Sequence, residues 1–126
     1  MFERRIPIRY RDTDALGHVN NAVYLTYLEE LLLGWLGPVL GDDFVSARVE
    51  LDFRSELRYD DGEVTGRASL EAVGRSSLTA AVSIERPGGE VSLAGRVVVV
   101  AWDPVERRSR PITEEEKNEV RRRQDS

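Results

Sequence analysis

The segment from Asn21 to Leu36 reads as a helix that is apolar nearly all the way round, with Thr26, Glu29 and Glu30 confined to one narrow strip. Such a helix is stable only when most of its surface is buried. At about 16 residues it is roughly 24 Å long, too short and too interrupted to span a membrane. Gly37-Pro38 follows and predicts its end there. A flat sheet resting on one side cannot bury such a helix. The chain must supply a sheet that curves around it.

The strands for that sheet can be read from the alternation of residues. Ile6 to Tyr10 alternates, and Pro7, with no N–H to donate, predicts an edge position. From Val45 to Tyr59 the odd positions Val45, Ala47, Val49, Leu51, Phe53, Ser55, Leu57 and Tyr59 alternate with polar residues. Period two over that length predicts one long strand with a dry face and a wet face. Turns at Asp60-Asp61-Gly62, Gly74-Arg75-Ser76-Ser77 and Pro87-Gly88-Gly89 set off three more strands. Small residues on the first of these, Gly66 and Ala68, would let the helix approach closely. The last contains Val97-Val98-Val99-Val100, which predicts cover on both faces, one of them from a second subunit. Thr113 and Glu116 form a capping box for a C-terminal helix, and Arg121–Arg123 close it in accord with the helix dipole. With Ile112 and Val120 as its apolar anchors, that helix is expected to be weakly held and partly frayed.

The expected class is therefore α+β: a curved antiparallel five-stranded sheet wrapped around one long buried helix, plus a short C-terminal helix, in one domain spanning 1–126. Composition narrows the function. A formal net charge of −5 argues against coating nucleic acid, which takes a basic surplus. With no cysteine and one histidine, His18, thiolate nucleophiles, disulfides and multi-histidine metal cages are excluded. The opening MFERRIPIRY lacks an apolar run of signal-peptide length, so a cytoplasmic location with no membrane contact is expected.

Functional groups concentrate between Tyr10 and Glu30, just before and along the buried helix. Asp12-x-Asp14-x-x-Gly17 resembles the start of a calcium loop, but Leu16 and Val23 stand where carboxylates are required. No Gly-x-Ser-x-Gly elbow is present for a serine hydrolase. One His and two Asp make a thin metal site. Two readings then compete. Asp12, Asp14 and Asn20 can cap the helix and satisfy loop amides. Alternatively, Asp14 lies in a cleft facing the helix N-terminus, whose first amides, around Asn20 to Ala22, lack intrahelical acceptors and can polarise a substrate carbonyl.

The pattern Tyr10-x-Asp12-Thr-Asp14-x-x-Gly17-His18-Val19-Asn20-Asn21-x-x-Tyr24-x-x-Tyr27-x-Glu29 resembles the signature of hotdog-fold acyl-CoA thioesterases of the 4-hydroxybenzoyl-CoA thioesterase-like superfamily. The resemblance implies hydrolysis of an acyl-CoA to a carboxylic acid and free CoA, without metal or cofactor. It assigns Asp14 the role of nucleophile or general base, and the backbone N–H at or beside Asn21 the role of holding the thioester oxygen. Tyr10 would line or orient the site, and Arg75, Ser76 and Ser77 would touch the phosphates or pantetheine arm of CoA. Tyr24, Tyr27, Leu28 and the odd face of the Val45–Tyr59 strand would shape the acyl pocket. One branch of the family has a catalytic histidine where this chain has Asn21; His18, three residues earlier, is then a loop organiser or a helper. The resemblance further implies a homodimer, or a tetramer built from two dimers, with the active site at the interface and Glu29 or Glu30 facing the partner's cleft. A non-catalytic acyl-CoA-binding or regulatory module on the same fold is the alternative reading. A hydratase is a third, and a free-thiol product separates the hydrolase from both.

Overall fold

The computed structural model describes residues 1–125. In chain order its elements are β1 (Phe2–Pro7), α1 (Val23–Leu40), β2 (Phe44–Phe53), β3 (Glu63–Val73), β4 (Ser77–Glu85), β5 (Val91–Asp103), β6 (Arg108–Ser109) and α2 (Glu114–Gln124). Single 3-10 turns occupy Tyr10–Asp12 and Tyr59–Asp61. The sheet runs in the order β1-β3-β4-β5-β2 with every pairing antiparallel, and β6 adds two residues to the end of β5. The sheet-around-a-helix arrangement expected from the sequence is the one observed, with β1 and its terminal Pro7 at one edge and β2 at the other.

The helix buries Tyr24, Tyr27, Leu28, Leu31, Leu32, Trp35, Leu36 and Leu40. They meet the inward residues of the sheet, among them Val64, Ala68, Leu78, Val82, Ile84, Leu93, Val97 and Val99. Close approach depends on Gly66, where a Cβ would lie 3.2 Å from the δ carbons of Leu31. No helix among the described residues is long and apolar enough to cross a membrane.

Three expectations are corrected. First, α1 continues through Gly37-Pro38 to Leu40. Pro38 has no N–H, so the carbonyl of Gly34 loses its helical donor. The guanidinium of Arg123 replaces it, donating to Gly34 O at 2.9 Å and to Trp35 O at 2.8 Å. Second, α2 is accordingly tied down rather than frayed. Trp35 Nε1 donates to Val120 O at 3.2 Å, Leu70 N donates to Gln124 Oε1 at 2.8 Å, and Arg110 grips both oxygens of Glu116. The capping box of Thr113 and Glu116 forms as expected.

Third, the long alternating strand stops at Phe53, and a bulge between Ser46 and Arg48 breaks its period. Before the bulge Phe44 and Ser46 lie opposite the inward Ala101 and Val99; after it Val49, Leu51 and Phe53 lie opposite Val97, Gly95 and Leu93. An inserted residue reverses which side of the chain faces in, so Val45 does not share a face with Val49. Helix α1 packs chiefly on β1, β3 and α2 and covers β2 only in part, through Tyr24 against Phe53, while Phe44 and Leu51 pack on the core. Val49 and Phe53 are consequently 39% and 48% exposed on a strand expected to have a dry face. Val98 and Val100 of β5 are half-buried within the single chain, on the face where a second subunit was expected to supply cover.

The Arg123 bridge makes a specific stability prediction. Arg123→Ala should lower the unfolding free energy by about 1–2 kcal/mol, read from denaturant titration. In a Pro38→Ala background, where residue 38 regains an N–H for Gly34 O, the same substitution should cost measurably less.

Candidate active site

Between β1 and α1 the chain makes a tight excursion that the sequence specifies locally. The 3-10 turn at Tyr10–Asp12 is closed by the Asp12 carboxylate, which accepts from Arg9 N at 2.9 Å and pairs with the Arg9 guanidinium at 3.2 Å. Its Oδ2 also accepts from the hydroxyl of Tyr27, at 2.8 Å, inside the core. Burial pushes the Asp12 carboxyl up, but the Arg9 amide, the Tyr27 hydroxyl and the Arg9 guanidinium together outweigh it and hold its pKa below the usual value. Burial first, and then Asp12, push the Tyr27 phenol well above its ordinary range. Asp12 and Tyr27 thus fasten the loop to the helix.

Beyond Asp12 the chain doubles back. Thr13 bridges Val19, Asp14 N donates to His18 O at 2.8 Å, and Gly17 takes the left-handed φ of 81° that the turn requires. The Oδ1 of Asp14 accepts from the amides of Leu16 at 2.9 Å and His18 at 3.2 Å. Its Oδ2 takes no partner among the described residues. The loop is stitched to the segment after β2 by a His18–Arg58 bridge and by Val19 N donating to Leu57 O at 2.8 Å.

The helix then starts in a defined way. Asn20 accepts from Ala22 N through its side chain at 3.0 Å and from Val23 N through its carbonyl at 2.9 Å, while Tyr24 N donates to Asn21 O at 3.3 Å. From Asn20 to Tyr24, the amide of Asn21 is the one that donates no hydrogen bond among the described residues. A cleft of about 520 Å³ lies here, lined by Asp14, His18, Val19, Asn20, Asn21, Tyr24, Phe53, Arg54, Ser55 and Glu56. On its wall His18 Nε2 meets Glu56 Oε2 at 2.9 Å, and the other oxygen of Glu56 holds Arg58 at 3.3 Å.

A directional hydrogen-bond chain supports the wall. Leu57 N donates to Tyr24 Oη at 3.2 Å, Tyr24 is 3.0 Å from Ser92 Oγ, and Ser92 donates to Ser55 O at 2.5 Å. The amide can only donate and the carbonyl only accept, so Tyr24 must donate to Ser92. Tyr24 and Phe53 meet edge to face at 5.2 Å between centroids.

The structure brings Asp14, His18, Asn21 and Tyr24 into one cleft. It places the other sequence candidates elsewhere. Tyr27 is fully buried against Asp12, and Tyr10 is exposed, edge-on to Tyr59 at 5.7 Å. Arg75, Ser76 and Ser77 lie at the β3–β4 turn, at the end of the sheet where β2 begins rather than where the cleft opens. Arg54 and Glu56 line the cleft and were missed. Both occupy even, wet positions of the alternation, and nothing local distinguishes a carboxylate that meets a histidine thirty-eight residues away from one that meets water. What the site can do follows from its unused groups. A carboxylate oxygen and a helix-terminal N–H, both unpartnered in one cleft, suit attack on a carbonyl whose oxygen gains charge.

A curved antiparallel sheet around one helix with this site at the helix start is a hotdog thioesterase arrangement. The chain belongs to the thioesterase superfamily, whose family model matches residues 16–93. It is similar to a thioesterase of Thermus thermophilus in complex with coenzyme A and zinc, at 29% identity and a TM-score of 0.85, covering 98% of this chain and 94% of that one. A predicted thioesterase of Bacillus stearothermophilus matches at 27% identity and a TM-score of 0.86, covering 97% and 95%. The uncharacterized Bacillus subtilis protein YsmA is 28% identical over an alignment of 123 residues that covers 92% of this chain and 82% of that protein.

The Asp12 clamp predicts an acid-sensitive stability term. Because the folded pKa is depressed, the contribution is complete above the ordinary carboxylate pKa of about 4 and is lost as pH falls through the folded value. Asp12→Asn should therefore cost about 1–3 kcal/mol at pH 7, with a gap to wild type that narrows below about pH 4. Denaturant melts across pH provide the measurement.

Proposed function

We propose that this protein hydrolyses the thioester of an acyl-CoA to the carboxylic acid and free CoA, using Asp14 and the Asn21 amide. The observation that carries this reading is the pairing of one unpartnered carboxylate oxygen with one unpartnered helix-terminal N–H in a single cleft. The thioester oxygen docks on Asn21 N–H, a donor of a kind worth about 2.7–4 kcal/mol when charge develops on that oxygen. Asp14 Oδ2 attacks the carbonyl carbon or takes the proton of the water that does. The C–S bond breaks, sulfur leaves as thiolate and gains a proton, and the hydroxyl of water ends on the acyl carbon. His18, held by Glu56, stands beside them as loop organiser or helper. Family membership and the CoA-bound relative support this substrate class.

A second copy completes the site. The edge of β2 is a free ladder of backbone groups, which proteins cover or blunt, and apolar Val49 and Phe53 lie exposed on it. Leu25 and Leu33 form an exposed stripe on α1 with Glu29 between them. Antiparallel pairing of two β2 strands covers both features and closes the acyl pocket with the partner's helix; the uncovered outer face of β5 is available for a dimer of dimers.

Asp14→Asn keeps an Oδ1 acceptor for Leu16 and His18, so the loop should persist while the chemistry fails. The expected result is a loss of 10²-fold or more in free-thiol release across an acyl-CoA panel; comparable rates would sink the role. CoA binding without turnover in wild type would favour the non-catalytic module instead. For the dimer, Val49→Asp should yield a monomer by sedimentation with little remaining turnover.

A further inference from the structure

Glu56 lies outside the motif that carries Asp14, His18 and Asn21, yet its carboxylate meets that motif on the wall of the cleft. The segment that presents it is anchored on both sides. Leu57 is fully buried; its N–H donates to Tyr24 Oη at 3.2 Å and its carbonyl accepts from Val19 N at 2.8 Å. On the other side the carbonyl of Ser55 accepts from Ser92 Oγ at 2.5 Å. Glu56 therefore stands between two fixed peptides. Across from this segment, His18 and Arg58 face each other as partners of an isolated antiparallel bridge. The two oxygens of Glu56 divide between the side chains of that pair. Oε2 lies 2.9 Å from His18 Nε2, and Oε1 lies 3.3 Å from the Arg58 guanidinium.

A carboxylate only accepts hydrogen bonds, so a ring nitrogen at this separation must carry a hydrogen. The contact selects one tautomer of the neutral ring, with the proton on Nε2, and restrains how the ring can turn. His18 is in turn tied to Asp14 through its backbone in both directions. Its carbonyl accepts from Asp14 N at 2.8 Å, and its N–H donates to Asp14 Oδ1 at 3.2 Å. That second bond and the Leu16 amide at 2.9 Å together occupy one carboxylate oxygen. The last torsion of an aspartate is broad, so Oδ2 has a defined aim only while both amides hold Oδ1. We infer that Glu56 is a positioning residue for Asp14. By gripping the His18 ring from the facing segment, it keeps the His18 amide on Asp14 Oδ1 and leaves Oδ2 directed at the thioester carbon. This deepens the acyl-CoA hydrolase reading above and rests on it. Exposure decides where the effect is felt. The His18 and Glu56 side chains are 34% and 45% exposed, and an ion pair so open to solvent adds little to global stability. Its loss is felt in the alignment of the reacting atoms, where a misplacement of about 1 Å costs up to about 10²-fold in rate.

Steady-state hydrolysis of one acyl-CoA by Glu56→Ala, Glu56→Gln, His18→Ala and the double variant Glu56→Ala/His18→Ala tests this path. Glu56→Ala should lower kcat about tenfold, with KM and the thermal midpoint close to those of wild type. Glu56→Gln keeps an acceptor for the Nε2 proton and should recover most of that loss. In the His18→Ala background, Glu56→Ala should cost less than about twofold more, because Glu56 acts through the ring. A wild-type kcat in Glu56→Ala, the same loss with His18 removed, or a loss that tracks a lowered thermal midpoint would each overturn the assignment. A second readout needs no turnover. The chain has one histidine, so in untagged protein the imidazole 15N shifts report a single ring. With that ring neutral, wild type should show the form protonated on Nε2 alone, and Glu56→Ala a mixture of both tautomers; identical spectra would overturn the contact. Wild type that holds the ring in this way yet releases no thiol from any acyl-CoA would overturn the hydrolase reading itself, an outcome distinct from an active enzyme indifferent to Glu56.

Discussion

Burial of α1 is the constraint on which the rest of the molecule depends. Its side chains are apolar around most of the circumference, and the sheet must curve to meet them on more than one side. Within a single copy that cover is partial. The helix sits over β1 and β3 and covers β2 only in part, leaving Val49 and Phe53 about half exposed and a stripe of Leu25 and Leu33 open. The incompleteness of the core and the proposed need for a second copy have the same physical origin.

The two ends of the helix are handled by opposite devices. At its C-terminal end, Pro38 removes a donor, and Arg123 reaches in from α2 to supply one, which turns a helix-breaking residue into a docking point. At its N-terminal end, Asn20 takes up two of the early amides and the Asn21 carbonyl a third, while the Asn21 N–H has no partner among the described residues. The loop that faces it is held on one side by buried Asp12 and on the other by the amides gathered on Asp14 Oδ1. Two neighbouring aspartates of one motif thus have unlike environments. Asp12 is buried, with both oxygens engaged by Arg9 and Tyr27, while Asp14 is exposed with one oxygen open.

Much of this was legible in the sequence because it depends on local chemistry. The buried helix, the turns that make the β3–β4–β5 meander and the capping box at Thr113 follow from short-range pattern, and the cluster at Asp14, His18 and Asn21 from the resemblance carried by its motif. What escaped depends on contacts distant in sequence. The bulge at Ser46–Arg48 reverses the facing of β2 without leaving a mark in an alternation that runs unbroken to Tyr59. Gly37-Pro38 reads as a stop because nothing nearby announces that Arg123 will satisfy Gly34 O. Tyr27 has the spacing of a pocket residue, yet its hydroxyl is committed to Asp12. Glu56 reads as one more polar residue on a wet face until the fold sets it against His18.

The most direct test is a crystal structure of the Asp14→Asn protein with an intact acyl-CoA bound. The expected result is a thioester carbonyl oxygen within about 3 Å of Asn21 N, with its carbon facing the amide that replaces the Asp14 carboxylate. An acyl-CoA whose thioester lies outside the cleft, or whose carbonyl oxygen is held by a group other than the helix terminus, would contradict the proposed chemistry.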